Sequence, residues 1–166
     1  MGVQQADQLL ATARSIMKEA DYCFFMTHGG SDEIDARLMH PFEPDAEFNI
    51  WLGASPRSRK AREILKNNHV TLSYISPRST AYVTIVGTAS VVSTLELKRK
   101  YWRAYWTDTY PGGPDSDEYV LVKVTPTRIE FMNFTHAALP QPFGLKPNGL
   151  ERKDGAWKEV ASREEL

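Results

Sequence analysis

The sequence predicts a mainly β chain with peripheral helices, arranged as an antiparallel barrel of six or seven strands. Three observations carry that expectation. Short segments rich in aromatic and β-branched residues recur along the chain, and turn clusters of Gly, Pro, Asn and Ser separate them. Only three segments show the apolar spacing of a helix, so strands dominate.

The chain opens with Ala6, Leu9, Leu10, Ala13, Ile16, Met17 and Ala20 at helical spacing, an amphipathic helix that packs one face on something. Tyr22 to His28 reads as a strand, and Gly29-Gly30-Ser31-Asp32 turns it into a second, Ile34 to His40. Because side chains alternate along a strand, Ile34, Ala36 and Leu38 share one face and Asp35, Arg37 and Met39 the other. The apolar set is expected to face the core and Arg37 to point away from it. After Pro41 and Pro44, Glu47 to Gly53 is a third strand. Ser58 to Asn67 follows as a helix with Ala61, Ile64 and Leu65 as its buried stripe.

Val70 to Ser76 and Ala81 to Val92 are the next strands, with a bend or bulge at Gly87. Ser93-Thr94-Leu95-Glu96 has the form of a capping box with Ser93 as N-cap, opening a helix to about Trp106. Its Tyr101, Trp102, Tyr105 and Trp106 form an aromatic stripe, read as core or interface in preference to a ligand box. The loop 108–117 carries Pro111-Gly112-Gly113-Pro114, and Glu118 to Thr125 and Arg128 to Phe134 are strands joined across Pro126. One domain, 1–134, is therefore expected, with 135–166 a loosely attached tail in which Leu150 to Val160 can close a small hairpin around Asp154-Gly155.

The 166 residues allow one domain, and 20 Lys plus Arg against 21 Asp plus Glu give a net charge of -1. No overall field favours nucleic acid or an anionic membrane, and no apolar run is long enough to span a bilayer. The first seven residues lack a secretory pattern, so the expected location is the cytoplasm. Cys23 is the sole cysteine, which excludes an intrachain disulfide. Four histidines in four segments nominate no metal site. P-loop, GxGxxG, HExxH and GxSxG patterns are absent.

Ser58-Arg59-Lys60 is the informative stretch. A helix start offers free N–H groups and the positive end of the helix dipole, and here a hydroxyl and two cations join them. Two readings stay open: an anion site, to which Arg37 adds a guanidinium fork, or a solvated basic helix start that Ser58 merely caps.

Arg37-Leu38-Met39, Ile50-Trp51-Leu52, Ser58-Arg59-Lys60, Tyr82 to Gly87, Ser93 to Glu96 and Ile129-Glu130-Phe131, in this order, resemble the pyridoxamine-phosphate-oxidase-like flavin proteins. Trp102 to Asp117, with Tyr110-Pro111-Gly112-Gly113, is similar to their general stress protein 26 branch. The resemblance implies an FMN-binding split β-barrel, a homodimer with flavin sites at the subunit interface. Arg37, Ser58, Arg59 and Lys60 would hold the FMN phosphate, and the backbone of Leu38-Met39 and Leu52-Gly53 would lie along the isoalloxazine. Tyr82 would be a polar flavin neighbour.

The departures are also informative. Ala54 stands where the family commonly has a hydroxyl, with Ser55 beside it as a substitute, and Met132 stands where many relatives have tryptophan. Phe42 replaces a substrate-holding lysine and the Arg-Leu-His C-terminus is missing, so vitamin B6 oxidation is not expected. The resemblance implies a flavin oxidoreductase with an unassigned electron acceptor. A non-catalytic flavin-binding stress protein, or a dimer holding another phosphate-bearing ligand, remain as alternatives. No residue is nominated as catalytic.

Overall fold

The structure is a computed structural model that describes residues 2–134 and 147–161. Helix α1 (Gly2–Ala20) buries Ala6, Leu9, Ala13, Ile16 and Met17, the face its spacing selects. It ends where Asp21 turns to positive φ and donates its N–H to the Met17 carbonyl. The strands are β1 (Cys23–His28), β2 (Ile34–Met39), β3 (Ile50–Ala54), β4 (His69–Ser76), β5 (Ala81–Val92), β6 (Val120–Asn133), β7 (Asn148–Lys153) and β8 (Ala156–Val160). Helices α2 (Arg59–Lys66) and α3 (Leu95–Lys100) and a 3-10 turn (Ala104–Asp108) lie between them.

All eight strands form one antiparallel sheet in the order β2-β1-β4-β5-β6-β7-β8, with β3 also on β6. One long strand organises it. β6 runs beside β5 along nearly its whole length, while its first half pairs with β3 and its second half with β7. The sheet therefore curls around a core of Phe25, Ile50, Leu52, Leu72, Val83, Ile85, Val122 and Ile129 without closing.

Two strands were expected where β6 is one, because Pro126 cannot donate to a ladder. The chain continues because Gly87 pairs with Pro126 and Val86 with Arg128, which leaves Thr127 as the extra residue of a bulge. A Cβ on Gly87 would lie 2.4 Å from the Thr125 carbonyl oxygen, so only glycine permits this approach. The Thr127 hydroxyl donates to the Val86 carbonyl at 3.2 Å.

Other expectations change for identifiable reasons. β3 begins at Ile50 because the Asp45 carboxylate gathers the N–H groups of Glu47 and Asn49 into a turn, with Phe48 at φ 67°. In α2, Leu65 is exposed and Glu63 is buried beside Ala61 and Ile64. Helix α3 has Thr94, not Ser93, at its N-cap position, where no side-chain capping bond forms, and it stops at Lys100, well short of Trp106.

Its aromatic residues turn inward instead. Trp51 stacks on Tyr101 at 4.8 Å, and Trp102, Trp106 and Tyr110 pack around the buried Tyr119, forming a second core. A continuous helix would carry these rings along one stripe and could not wrap them around Tyr119. Most of the stripe is thus used within the chain, and Tyr105 alone of the four is largely exposed.

The hairpin around Asp154-Gly155 is present as β7 and β8, with both turn residues at positive φ. Residues 148–160 are not loosely attached: β7 pairs with β6, Leu150 is fully buried in the main core and Trp157 packs against it. The parts of the expected tail at 135–146 and 162–166 lie outside the described residues. Among the described residues no helix is long and apolar enough to cross a membrane. Leu150→Ala should lower the unfolding free energy by about 2–5 kcal/mol, the cost of a core cavity. Urea denaturation reads this directly, and an unchanged midpoint would mean that the hairpin contributes nothing to the core.

Candidate functional site

β2 is an edge strand, and its alternation is inverted relative to expectation. Ile34 and Leu38 are exposed, at 56% and 61%, while Asp35, Arg37 and Met39 face inward. The reason lies in α2, which covers this end of the sheet with a charged residue. Arg37 stands opposite Phe25, and Asp35 opposite Thr27. Arg37 Nη2 donates to Glu63 Oε2 at 3.1 Å, and its Nη1 donates to the Thr27 hydroxyl at 2.5 Å. Thr27 in turn donates to Glu63 Oε2 at 2.5 Å.

Helix α2 begins at this cluster. Ser58 is its N-cap and accepts from the Ala61 N–H at 3.4 Å. From the first turn, Arg59 reaches Asp35 Oδ1 at 3.0 Å and Glu63 Oε1 at 3.4 Å. Lys60, half-buried, lies close enough to Arg37 to feel its charge, and among the described residues no carboxylate forms an ion pair with it. Arg37, Ser58, Arg59 and Lys60 are thus brought together, as expected, but around Thr27, Asp35 and Glu63, which the sequence reading missed. Their spacing was a usable signal: Asp35 and Arg37 share a strand face at i, i+2, and Arg59 and Glu63 share a helix face at i, i+4.

The electrostatics fit an anion. Burial lowers the Lys60 ammonium below the ordinary lysine range, the Arg37 charge lowers it further and Glu63 offsets part of this, so an arriving negative group would favour the charged form. Burial alone would raise the Glu63 carboxyl, but hydrogen bonds with Thr27 and Asp35 and the Arg37 charge outweigh it and hold Glu63 low. The hydrogen bond with Glu63 raises Asp35. Three cations against this coupled carboxyl pair, at a capped helix start, fit a phosphate group.

The remaining expected residues divide. Leu52 and Ala54 are buried in the core, and a Cβ on Gly53 would lie 2.5 Å from the Trp106 ring. Only the main chain of 52–54 is therefore left to meet a ligand. β2 is an edge strand, so one side of its main chain is likewise unpaired within the sheet, while the Met39 side chain packs on the core. Tyr82 and Met132 are cross-strand partners, Tyr82 half-buried on the outer face of the sheet and Met132 buried. Tyr82 helps line an open groove of about 390 Å³ with Ile75, Pro77, Thr80 and Phe134. Along β5 it stands three residues, about 10 Å, from Ile85, which lies in register with Leu72, Phe25 and Arg37. What separates it from Arg37 is the sheet itself, since the two lie on opposite faces.

Ala54 settles one question about the loop that follows. Its methyl group is 1% exposed and belongs to the main core, so this position cannot present a hydroxyl outward. Ser55 Oγ instead accepts from the Arg57 N–H at 3.3 Å, holding the turn into α2.

The open antiparallel barrel with its covering helices is a split β-barrel. Solved structures with this fold include general stress protein 26 from Bacillus anthracis, with a TM-score of 0.66 and 22% identity over 75% of this chain and 93% of that one. A pyridoxamine 5'-phosphate oxidase-related, FMN-binding protein from Nostoc punctiforme superposes at 0.73, with 14% identity over 93% and 94%. PhzG from Burkholderia lata, solved with tetrahydrophenazine-1-carboxylic acid, superposes at 0.67 with 15% identity over 93% and 88%. No curated protein sequence matches the chain. The sequence profile described as "pyridoxamine 5'-phosphate oxidase like" matches residues 8–143, and the chain belongs to that family.

Ala54→Thr should destabilise the protein by about 1–3 kcal/mol, because the added atoms enter a filled core. Chemical denaturation checks it, and a variant as stable as the native chain would show that the 54 side chain has an outward path.

Proposed function

We propose that the protein is a dimeric FMN-binding protein of the general stress protein 26 type, acting as a flavin-dependent oxidoreductase. The observation that carries this reading is the convergence of Arg37, Ser58, Arg59 and Lys60 at the start of α2, in a chain of this family. Similarity to a solved structure named as FMN-binding supports it. When bound, FMN would supply the electron-transfer chemistry, and the protein would supply placement.

The roles of the chain's own residues follow from their positions. Lys60 and the Arg37 fork would compensate the phosphate charge, and Arg59, the most exposed of the cations, would close over it. Thr27 and Glu63 hold the Arg37 guanidinium in place from the side away from the ligand. The unpaired peptide edge of β2 and the main chain of 52–54 would provide hydrogen bonds to a flat polar ring.

A second subunit would complete the site. Tyr82 faces away from the phosphate cluster of its own chain, on the opposite side of the sheet from Arg37. The outer face also exposes Phe24, Ile34, Leu38 and Ile75, each between 46% and 61% accessible, on adjacent strands. Contiguous apolar surface of this kind favours an isologous contact. Two copies joined there would place Tyr82 of each beside the interface.

The position of Ala54 in the core favours a second reading, in which the same cations hold a different phosphate-bearing ligand in the dimer. Titration with FMN, riboflavin and inorganic phosphate distinguishes the two. The first reading requires FMN to bind well above both, and the second is left if FMN gains nothing over phosphate.

Lys60→Ala should weaken FMN about ten- to a hundredfold, the worth of one charge-assisted hydrogen bond, and leave riboflavin unchanged. Fluorescence titration of both ligands checks it, and equal losses for the two would remove the phosphate from this position. Leu38→Glu should turn the native dimer into monomers near 18.8 kDa by light scattering. A native chain that is itself monomeric would overturn the interface.

A further inference from the structure

A cavity of about 220 Å³ opens at the end of the barrel away from α2, between the C-terminal turn of α1, the segment 41–44 and the inner face of β4. It shares no residue with the phosphate cluster. Met17, Pro41, Phe42 and Pro44 give it apolar walls, and Lys18, Asp21 and Glu43 stand among its lining residues. Tyr74 lies in its wall, 1% exposed, and its hydroxyl has no hydrogen-bond partner.

An orphaned hydroxyl in a core is costly, and most buried polar groups in folded proteins avoid it. Cys23, the cross-strand partner of Tyr74, sets its thiol nearby, but the contact does not reach hydrogen-bond geometry. Burial pushes that thiol up to about 12, so it stays protonated and is a poor acceptor. Burial also raises the Tyr74 phenol, which keeps its proton and remains a donor.

The charged groups around the cavity each have a partner within the protein. Lys18 pairs with Glu43 at 3.2 Å, and Asp21 accepts from His40 Nε2 at 2.9 Å. With Lys18 engaged by Glu43 the cavity offers no free cation to an acid, and its apolar walls favour a neutral ligand. For scale, an apolar cavity of about 150 Å³ suffices to hold benzene, so this one has room for a six-membered ring and a substituent.

We propose that this cavity is a second ligand site, specific for a small neutral ring compound that carries one hydroxyl or carbonyl oxygen directed at Tyr74. The apolar walls hold the ring and the single buried donor orients it, the usual division of labour in a small-molecule pocket. The site is independent of flavin, and its test requires none.

Phenol and toluene, which differ by a hydroxyl for a methyl, are the probes. Each is titrated into the full-length protein while the backbone amide NMR signals are followed. Phenol should bind saturably, with shifts concentrated at Met17, Lys18, Asp21 and Glu43, and about tenfold more tightly than toluene. In Tyr74→Phe the two affinities should become equal. The melting temperature of that variant without ligand should be unchanged or higher, because the hydroxyl removed has no partner. Equal binding of the two probes by the native chain overturns the proposal, as does no saturation, shifts centred on the Tyr82 groove, or a preference that survives in Tyr74→Phe. A marked fall in the variant's melting temperature also overturns it, since the hydroxyl would then have a partner within the protein.

Discussion

The close approach of Gly87 to the Thr125-Pro126 backbone is the constraint on which this architecture rests. It lets a 14-residue strand continue through a proline, at the cost of one unpaired residue, Thr127. The bend at that bulge divides the strand's far edge between β3 and β7. The sheet therefore wraps without closing, and its two ends are left to be covered by different means. At one end, α2 packs over β1 and β5; at the other, α1 lies against β4, β5 and β8.

The charged cluster follows from that arrangement. Because α2 packs over β1, beside the edge strand β2, the inward side chains of β2 meet a helix with Glu63 on its buried side rather than an apolar stripe. Arg37 and Asp35 are consequently the right residues to face inward, and Thr27 is fully enclosed with them. A buried cation needs a partner and further hydrogen bonds to be tolerated, and Glu63, Thr27 and the Phe25 carbonyl supply them. Lys60 receives no comparable compensation, which is what makes the start of α2 a receptive place for an anion. The same inversion leaves Ile34 and Leu38 outside, continuous with Phe24, so one cause produces both the anion cluster and the exposed apolar face.

The aromatic residues after α3 show the opposite economy. Their density suggested surface to spare for a partner, yet most of it is consumed in packing around Tyr119, whose hydroxyl donates to the Tyr101 carbonyl. The Trp106 ring rests against Gly53 and thereby closes one side of β3. The case for a second subunit rests on the outer face of the sheet and on the separation of Tyr82 from the α2 cluster, not on this stripe.

The sequence by itself determined the strand-dominated class, the opening helix and its buried face, the first hairpin, the start of α2 at Ser58 and the irregularity at Gly87. Each depends on contacts within a few residues or on a backbone requirement that only certain residues meet. Ser58, Arg59 and Lys60 were legible for the same reason, since a capped helix start with adjacent cations is a local pattern, whereas Arg37 joins them from another element. Only the tertiary structure decided which face of β2 turns inward. Alternation fixes which residues share a face, while the element packed against that face decides which set it accepts. Tertiary contacts also ended α3 at Lys100, where wrapping rings around Tyr119 outweighs continuing a helix. They buried Glu63 and exposed Leu65, and they drew Leu150 into the core through a pairing with β6. These outcomes depend on residues tens of positions apart, and no local pattern encodes them.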